Sequence, residues 1–200
     1  MSSKQKTGQK LKNAGKQLFW KYGFKKVSVE EICSRAGVSK MTFYRYFENK
    51  TELAKKIMDC AVGEGIQKFR EIISGEDSVD KKMETLIRLK MEGTHDISPE
   101  FIQDVYLDSG SGLHQYITQM STRIWSGMID DLRQAQENGF FRKDFKPQML
   151  VAISFKMVEL MNDPRLTSLY GNTGEMVVEM TRLLAYGMAE RENNEKTGSD

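Results

Sequence analysis

Apolar residues return every three or four positions along most of this chain, the spacing that places them on one face of an α-helix. Runs that alternate apolar and polar residues, as strands do, are few, and only three prolines interrupt the pattern. The first helical face ends at Gly23 and consists of Leu11, Ala14, Leu18, Phe19 and Tyr22. The pattern therefore predicts an all-α protein.

Two short helices joined by a tight turn are predicted between Ser28 and Phe47. Ser28 and Glu31 have the spacing of a capping box, in which each side chain accepts a backbone N–H of the other residue. Gly37 suits the left-handed conformation in which many helices end, and Ser39 can cap the helix that follows. Helix, three-residue turn and helix is the arrangement of a helix-turn-helix.

The second of these helices combines a thin apolar face with a polar outer surface. Phe43 and Phe47 lie four residues apart and share the inward side. The other positions carry cations, hydroxyl groups, aromatic rings and one thioether: Lys40, Met41, Thr42, Tyr44, Arg45 and Tyr46. Such a surface suits a groove lined by phosphates and base edges, so the helix is a candidate for DNA recognition.

Charge is distributed unevenly along the 200 residues, although the formal net charge is only +2. Residues 1–60 carry 14 basic and 5 acidic side chains, whereas the remaining residues carry 16 basic and 23 acidic ones. A basic segment joined to an acidic one is typical of a protein that presents one part to a polyanion. An ordinary solvated face is the alternative, and the helix-turn-helix in the same segment favours nucleic acid.

Residues 8–59 resemble the DNA-binding domain of the TetR family of transcriptional regulators. The similarity follows short runs in order: LF at 18–19, YGF at 22–24, SVEEI at 28–32, AGVSK at 36–40, TFYRYF at 42–47, NK at 49–50, and Leu53. Met41 stands where a small residue or proline is usual, and Tyr46 where histidine is frequent. These departures leave the expected fold intact, but the base sequence of the DNA site cannot be carried over.

The composition and the resemblance together predict the DNA contacts. Arg45 is the candidate for guanine, within a set expected to face base edges in the major groove: Lys40, Met41, Thr42, Arg45 and Tyr46. Phosphates are expected to be bound by Ser28, Ser39, Tyr44 and Lys50. Lys50 lies in the first turn of a helix capped by Asn49, where backbone amides favour an anion, and the resemblance implies the same role.

A long helix from Asn49 to about Ser74 carries apolar residues that belong to both halves of the chain. We therefore expect two domains joined by this helix. Residues 1–60 form a three-helix, helix-turn-helix DNA-binding domain, and residues 61–200 form a helical domain for effector binding and dimerisation. The lysine-rich residues 1–9 predict a mobile arm.

The last two helices are the candidates for dimerisation. The helix that starts at Pro147 is apolar around too much of its circumference for one small domain, and the final helix is rich in Met and Leu. The resemblance implies a homodimer in which this hairpin pairs with its copy as a four-helix bundle. A dimer would bind an inverted-repeat operator in double-stranded DNA with half-sites ~34 Å apart. The alternative is that both helices are internal core elements.

Aromatic rings, methionines and both histidines are concentrated in the middle of the chain. This composition suits a cavity for a small, largely apolar molecule, and the resemblance implies an effector site there. A core packed with methionine is the alternative interpretation. The predicted effector pocket consists of Met91, His95, Phe101, Tyr106, His114, Tyr116, Met120 and Trp125.

Catalytic and metal-binding patterns are missing from the sequence. The histidines have no cysteine nearby, and Cys33 and Cys60, both predicted to face inward, lack the spacing of a metal site or disulfide framework. We therefore expect no enzyme, no cofactor and no metal. The N-terminus lacks the apolar segment of a secretion signal and no apolar run could span a bilayer, so we expect a cytoplasmic protein without a membrane partner.

The expected function is sequence-specific regulation of transcription by a homodimeric repressor that a small, largely apolar effector releases from its operator. A ligand in the middle region would shift the long helix and change the separation of the two recognition helices. The alternative is a DNA-bound adaptor whose acidic C-terminal part binds a protein partner and no small molecule.

Overall fold

The computed structural model describes residues 3–110, 112–161 and 163–189. Within these ranges the backbone forms ten α-helices and one π-helix, and the only β pairing is an isolated bridge between Phe141 and Ala189. The prediction of an all-α protein is confirmed. The α-helices are α1 (Ser3–Tyr22), α2 (Val29–Ala36), α3 (Lys40–Tyr44), α4 (Lys50–Ser74), α5 (Val79–Thr94), α6 (Pro99–Ile102), α7 (Gly112–Glu137), α8 (Pro147–Leu160), α9 (Pro164–Thr167) and α10 (Thr173–Met188).

α1 begins at Ser3, so the predicted mobile arm is wrong for residues 3–9, while residues 1–2 lie outside the described ranges. Within α1, Gln9 Nε2 donates to Asn13 Oδ1 at 2.9 Å across one turn. Gly8 lies so close to Tyr46 that a Cβ at Gly8 would be 3.4 Å from the ring atom Cδ1. A segment whose composition alone is typical of a free terminus is thus helical and packs beside an aromatic residue distant in sequence.

One hydrophobic core joins the helix-turn-helix to later elements. It combines buried residues of α1 to α4 with Phe101, Val105, Leu113, Ile117 and Met120. The ring centroids of Trp20 and Phe101 lie 4.4 Å apart. Because α4 also runs through residues 60–61 without a break, both backbone and core are continuous across the predicted domain boundary.

A second core lies toward the other end of α4 and includes residues of α5, α7 and α10. The buried Gln136 side chain donates from Nε2 to the carbonyl oxygens of Arg142 at 2.9 Å and Phe145 at 3.0 Å, which fixes the bend between α7 and α8. α8 lies at the margin of this core and buries only Pro147.

The segment after Ser98 is not one regular α-helix. α6 covers only Pro99–Ile102 and continues directly as a π-helix, Gln103–Leu107. The π-helix ends where the N–H of Asp108 donates to the Gln103 carbonyl at 3.0 Å. Single π-turns are rare and frequently occur at functional sites.

The two cysteines have different environments. Cys33 is buried as predicted, and burial raises the pKa of its thiol. Cys60 is exposed, so its predicted inward position is wrong. α4 turns Ile57 and Met58 toward the core at this level, and Cys60 lies outside, where Lys12 Nζ is 3.6 Å from its sulfur.

Candidate DNA-binding site

The first helix of the site, α2, is built by its caps and three buried residues. Ser28 Oγ accepts the N–H of Glu31 at 3.2 Å, and Glu31 Oε2 accepts the N–H of Ser28 at 2.7 Å, as the capping-box spacing predicts. Hydrogen bonds from the Ser28 backbone and hydroxyl hold the pKa of the Glu31 carboxyl below its ordinary value. Ile32, Cys33 and Ala36 face the core. α2 is therefore fixed in orientation at its first turn.

The turn into α3 depends on Gly37 and Ser39. Gly37 has φ +67°, a left-handed conformation in which a side chain would be strained. The N–H of Val38 donates back to the Cys33 carbonyl at 3.0 Å. Ser39 Oγ accepts the N–H of Thr42 at 3.1 Å and so caps α3. These contacts set the angle between the two helices.

α3 is shorter than predicted, because its regular turns end at Tyr44 and not at Phe47. Arg45 and Tyr46 follow in a turn, although the N–H of Phe47 still donates to the Phe43 carbonyl at 3.0 Å. Phe43 is fully buried and Phe47 is 7% exposed, so both fill the core as predicted. The apolar seam thus anchors the recognition segment.

The outward face of the recognition segment carries most of the residues predicted to contact DNA. Met41 is 85% exposed and Tyr44 is 56% exposed. Lys40 and Arg45 are also exposed, and Lys40 forms an ion pair with Glu30 across the helix-turn-helix. A methionine that is 85% exposed next to Lys40 has no role in the core of this chain, and it is available to base edges and thymine methyl groups.

Tyr46 occupies a different position from its neighbours. Its ring is half-buried, packs on the first core and lies beside Gly8 of α1. The Arg45 guanidinium carbon is 5.7 Å from the centroid of the Tyr46 ring, within cation–π range. Tyr46 thus supports Arg45 from the edge of the exposed face, and Thr42 and Ser28 are likewise half-buried at that edge.

Lys50 does not point outward as its predicted phosphate contact requires. Its ammonium donates to three carbonyl oxygens: those of Phe24 at 2.8 Å, Lys25 at 3.1 Å and Val27 at 2.7 Å. It also lies 4.5 Å from the centroid of the Phe24 ring, and desolvation lowers its pKa. All three ammonium hydrogens are therefore used within the protein, and the side chain braces the connection between α1 and α2.

The eight residues of the predicted effector pocket are only partly brought together. Phe101 and Met120 are buried in the first core, and the rings of Tyr106 and Tyr116 pack against it. Burial raises the pKa of Tyr106, and the hydroxyl of Tyr116 donates to Asp59 of α4. His114 is half-buried near the start of α7.

The other three pocket residues lie apart from this cluster. Met91 is 45% exposed on α5, and the exposed His95 contacts Asp96 at 2.9 Å. The Trp125 ring packs on Phe155 of α8, 6.4 Å between centroids. Two surface grooves of about 550 and 320 Å³ run along α4 and between α4 and α5, and their lining includes none of the eight predicted residues.

Asp104 and Lys25 form a contact beside the helix-turn-helix that the sequence did not reveal. Asp104 is a buried carboxylate on the π-helix, and its Oδ2 accepts the backbone N–H of Lys25 at 2.8 Å. The two residues are 79 positions apart. No local pattern pairs residues at such a distance, and an acid beside apolar neighbours was the only available signal.

Fold and site together define the class. The protein has a capped helix-turn-helix with an exposed cationic and aromatic recognition segment, set in an all-helical chain. This is the architecture of a DNA-binding regulator.

Comparison with known proteins gives the family. Residues 12–57 match the model for bacterial regulatory proteins of the tetR family. HTH-type transcriptional regulator UidR of Escherichia coli K12 is 31% identical over 88 residues, which span 44% of this chain and 45% of UidR. HTH-type transcriptional regulator YdgC of Bacillus subtilis is 24% identical over 199 residues, covering 93% of this chain and 94% of YdgC. The structure of the fatty acid degradation regulator FadR from Bacillus halodurans has the same fold, with a TM-score of 0.68 at 18% identity over 96% of this chain and 99% of FadR.

Residues 12–57 thus form a TetR-type DNA-binding domain, and the chain is similar over most of its length to an HTH-type transcriptional regulator. Members of this family are non-enzymatic DNA-binding regulators, so the prediction that the protein is not an enzyme is confirmed. In the described ranges no helix is both long and apolar enough to cross a membrane.

Proposed function

We propose that the protein is a homodimeric repressor that binds an inverted-repeat operator and leaves it when a small, largely apolar effector binds. The observation that carries the proposal is the exposed recognition segment, where Met41, Tyr44 and Arg45 project from a helix anchored by the fully buried Phe43. Large apolar and cationic groups held outward on a rigid support are what readout of base edges requires.

Contacts to bases and contacts to phosphates come from different parts of this surface. Base edges are read by Lys40, Met41, Thr42 and Arg45, and Tyr46 joins them from the rim while supporting Arg45. Phosphates are held by Ser28, Ser39 and Tyr44, which lie at the helix ends or the flank. Lys50 contributes by fixing the chain before α2, since its ammonium is committed to carbonyl oxygens.

The dimer is formed by α8 and α10 pairing with their copies. Supporting this, the described part of the C-terminal half exposes large apolar side chains on these helices: Met149, Ile153, Phe155, Leu160, Leu183 and Tyr186. A row of this size on a single chain marks an association surface. In the proposed division, residues 1–60 bind DNA, and residues 61–200 dimerise and bind the effector.

The effector acts where the middle region meets α4. Tyr106, Tyr116 and Met120 pack at this junction, and Tyr116 is bonded to Asp59 of α4. A molecule that displaces these rings would move α4 and change the separation of the recognition segments. It must bind the released state more tightly than the operator-bound state, because equal affinity shifts no equilibrium.

A protein-controlled adaptor is the second candidate. The observation that favours it is the packing of Phe101 and Met120 as core residues, 2% and 6% exposed, instead of as walls of an open cavity. In this version the acidic C-terminal part binds a protein, and no small molecule enters.

Selection of bound duplexes from a random pool tests both candidates. The repressor proposal predicts enrichment of an inverted repeat, and loss of binding when the selection is repeated with a library of apolar metabolites. If no metabolite affects binding to the enriched duplexes, but a captured protein abolishes that binding, the result would support the adaptor. Recovery of sequences without two-fold symmetry would contradict the proposed dimeric readout. The double variant Met41→Ala with Arg45→Ala is the control for contacts outside the recognition segment.

A further inference from the structure

The connection between α1 and α2, residues 23–27, is held from two sides. On one side the ammonium of Lys50 binds three of its carbonyl oxygens, as described above. On the other side Asp104 Oδ2 accepts the backbone N–H of Lys25 at 2.8 Å. Asp104 belongs to the π-helix, outside residues 12–57 that match the family. The segment that leads into the helix-turn-helix is thus anchored by a residue of the C-terminal half.

Close backbone packing accompanies this bond. Gly23 has φ +85°, and a Cβ there would lie 2.8 Å from Asp104 Oδ2 and 3.0 Å from Cβ of Glu100. The N–H of Ser98 also donates to the Trp20 carbonyl at 2.8 Å. These contacts leave little freedom for the end of α1 to move independently of α6 and the π-helix.

Charge adds a smaller contribution to the same junction. Lys25 Nζ lies 3.0 Å from Asp108 Oδ2 and 3.9 Å from Asp104 Oδ1. The Lys25 side chain is 59% exposed, so its ion pairs are screened by water and contribute little. The buried Asp104, 9% exposed, is the group whose loss would leave a backbone donor without its acceptor.

We infer that Asp104 is a positioning residue for the helix-turn-helix, and that the π-helix passes changes in the C-terminal half to the DNA-binding helices through residues 23–27. The inference rests on the proposed function. Residues 23–27 end at Ser28, the cap of α2, so a shift of Asp104 tilts α2 and with it α3. A turn with i to i+5 bonds can return to α-helical bonding, which moves the following side chains around the axis.

This route uses different bonds from the one between α4 and α7, although Lys50 at the start of α4 also holds residues 23–27. α4 is linked to α7 by Tyr116, whose hydroxyl donates to Asp59, and by Arg70 Nε, which is 2.9 Å from Asp131 Oδ2. Neither bond involves residues 23–27 or the π-helix. Variants can therefore interrupt one route and leave the other intact.

The test uses the full chain and four variants. Asp104→Ala removes the acceptor, and Asp104→Asn keeps one oxygen at the same place. Asp108→Asn is the matched control, because it removes the closer ion pair of Lys25 and keeps the bond from the Lys25 N–H to Asp104. Tyr116→Phe interrupts the α4 route. Hydrogen exchange is followed at the Lys25 amide and through α2 and α3, and affinity is measured for the duplex selected by the unmodified protein and for a scrambled duplex.

We expect Asp104→Ala to speed exchange at Lys25 and to lower affinity for the selected duplex by about tenfold each, the range expected when a buried donor loses its acceptor. Affinity for the scrambled duplex should change less, because phosphate contacts persist when helix angle is lost. Asp104→Asn should give a smaller change of the same sign. Asp108→Asn and Tyr116→Phe should leave exchange at Lys25 within about twofold.

Unchanged exchange at Lys25 in Asp104→Ala, or faster exchange with unchanged discrimination between duplexes, would overturn the inference. If Asp104→Ala does not fold, the same criteria apply to Asp104→Asn. Failure of the unmodified protein to distinguish the selected from the scrambled duplex would instead contradict the proposed function, and exchange at Lys25 would still report whether Asp104 holds the segment.

Discussion

The two halves of the chain differ in how fully they bury the large apolar side chains of their functional helices. In the helix-turn-helix, Phe43 and Phe47 are buried, and its exposed Met41 and Tyr44 belong to the proposed DNA surface. In the C-terminal half, α8 buries only Pro147 among 14 residues, and α10 leaves Leu183 70% exposed.

This difference shows which surface of each half is left for a partner to cover. The N-terminal helices bury their apolar residues in a core shared with α6, the π-helix and α7, and leave a small, chemically mixed face for a nucleic acid. The C-terminal helices leave a broad apolar face that is stable in water when another apolar surface covers it. The predictions below test this contrast, from the largest expected effect to the smallest.

Truncating an aromatic ring should have unequal consequences in the two halves. Phe43→Ala removes a fully buried ring from the first core, and we expect it to lower the free energy of unfolding by about 3–5 kcal/mol. Phe155→Ala is the matched control, since this ring is 41% exposed on α8. Denaturant unfolding at a protein concentration low enough to favour monomers measures both. Equal losses would remove the contrast between a closed core and an open face.

A charge on the open face should separate the protomers without unfolding them. Leu183→Arg places a cation where the proposed dimer buries an apolar side chain, at a cost of about 3 kcal/mol when no partner charge is present. Sedimentation velocity should show a monomer whose helical circular dichroism is unchanged. A dimer of undiminished stability would place the interface elsewhere.

Lys50 distinguishes bracing from phosphate binding. Lys50→Met keeps the aliphatic stem beside Phe24 and removes the ammonium, so three carbonyl oxygens lose a charged donor. We expect about 1–3 kcal/mol lower stability and an unchanged slope of log affinity against log salt concentration. A slope reduced by about one, with stability retained, would restore the phosphate contact.

Arg45 should give the reverse result. Arg45→Ala removes an exposed guanidinium from the recognition segment, and we expect affinity for the selected duplex to fall by about 1–3 kcal/mol while stability stays unchanged. The loss should be confined to one base pair per half-site, as a set of single-substitution duplexes would reveal. Identical losses on selected and scrambled duplexes would mean that Arg45 binds phosphate.

The sequence predicted the features that local spacing determines. The capping box of Ser28 with Glu31 forms and Ser39 caps α3, because each cap needs only residues three apart. The buried seam of α3 follows from helical periodicity in the same way. The resemblance of residues 8–59 to the family, based on ordered short runs, also led to the correct class.

Features that depend on partners far along the chain were missed. α1 packs beside Tyr46 at Gly8, and the direction of Lys50 depends on carbonyl oxygens 23 to 26 positions away. The π-helix and the bond from Lys25 to Asp104 join residues of different halves, for which no periodicity gives a signal. The extent of α3 was overestimated because Phe47 continues the apolar spacing after the regular helix has ended at Tyr44.

The smallest expected effect concerns how the stability of the fold changes as the pH becomes acidic. Hydrogen bonds from Ser28 hold the pKa of Glu31 below its ordinary value in the folded state, so its carboxylate stabilises the fold above its unfolded-state pKa. That contribution is lost as pH falls through the lower, folded-state pKa. Glu31→Gln should therefore be less stable than the unmodified protein near neutral pH, and the difference should shrink in acid. Glu30→Gln is the control, because Glu30 pairs with Lys40 and does not cap α2. Thermal unfolding across the acid range measures the difference, and a gap between Glu31→Gln and the unmodified protein that stays constant with pH would show that the capping box owes nothing to the charge of Glu31.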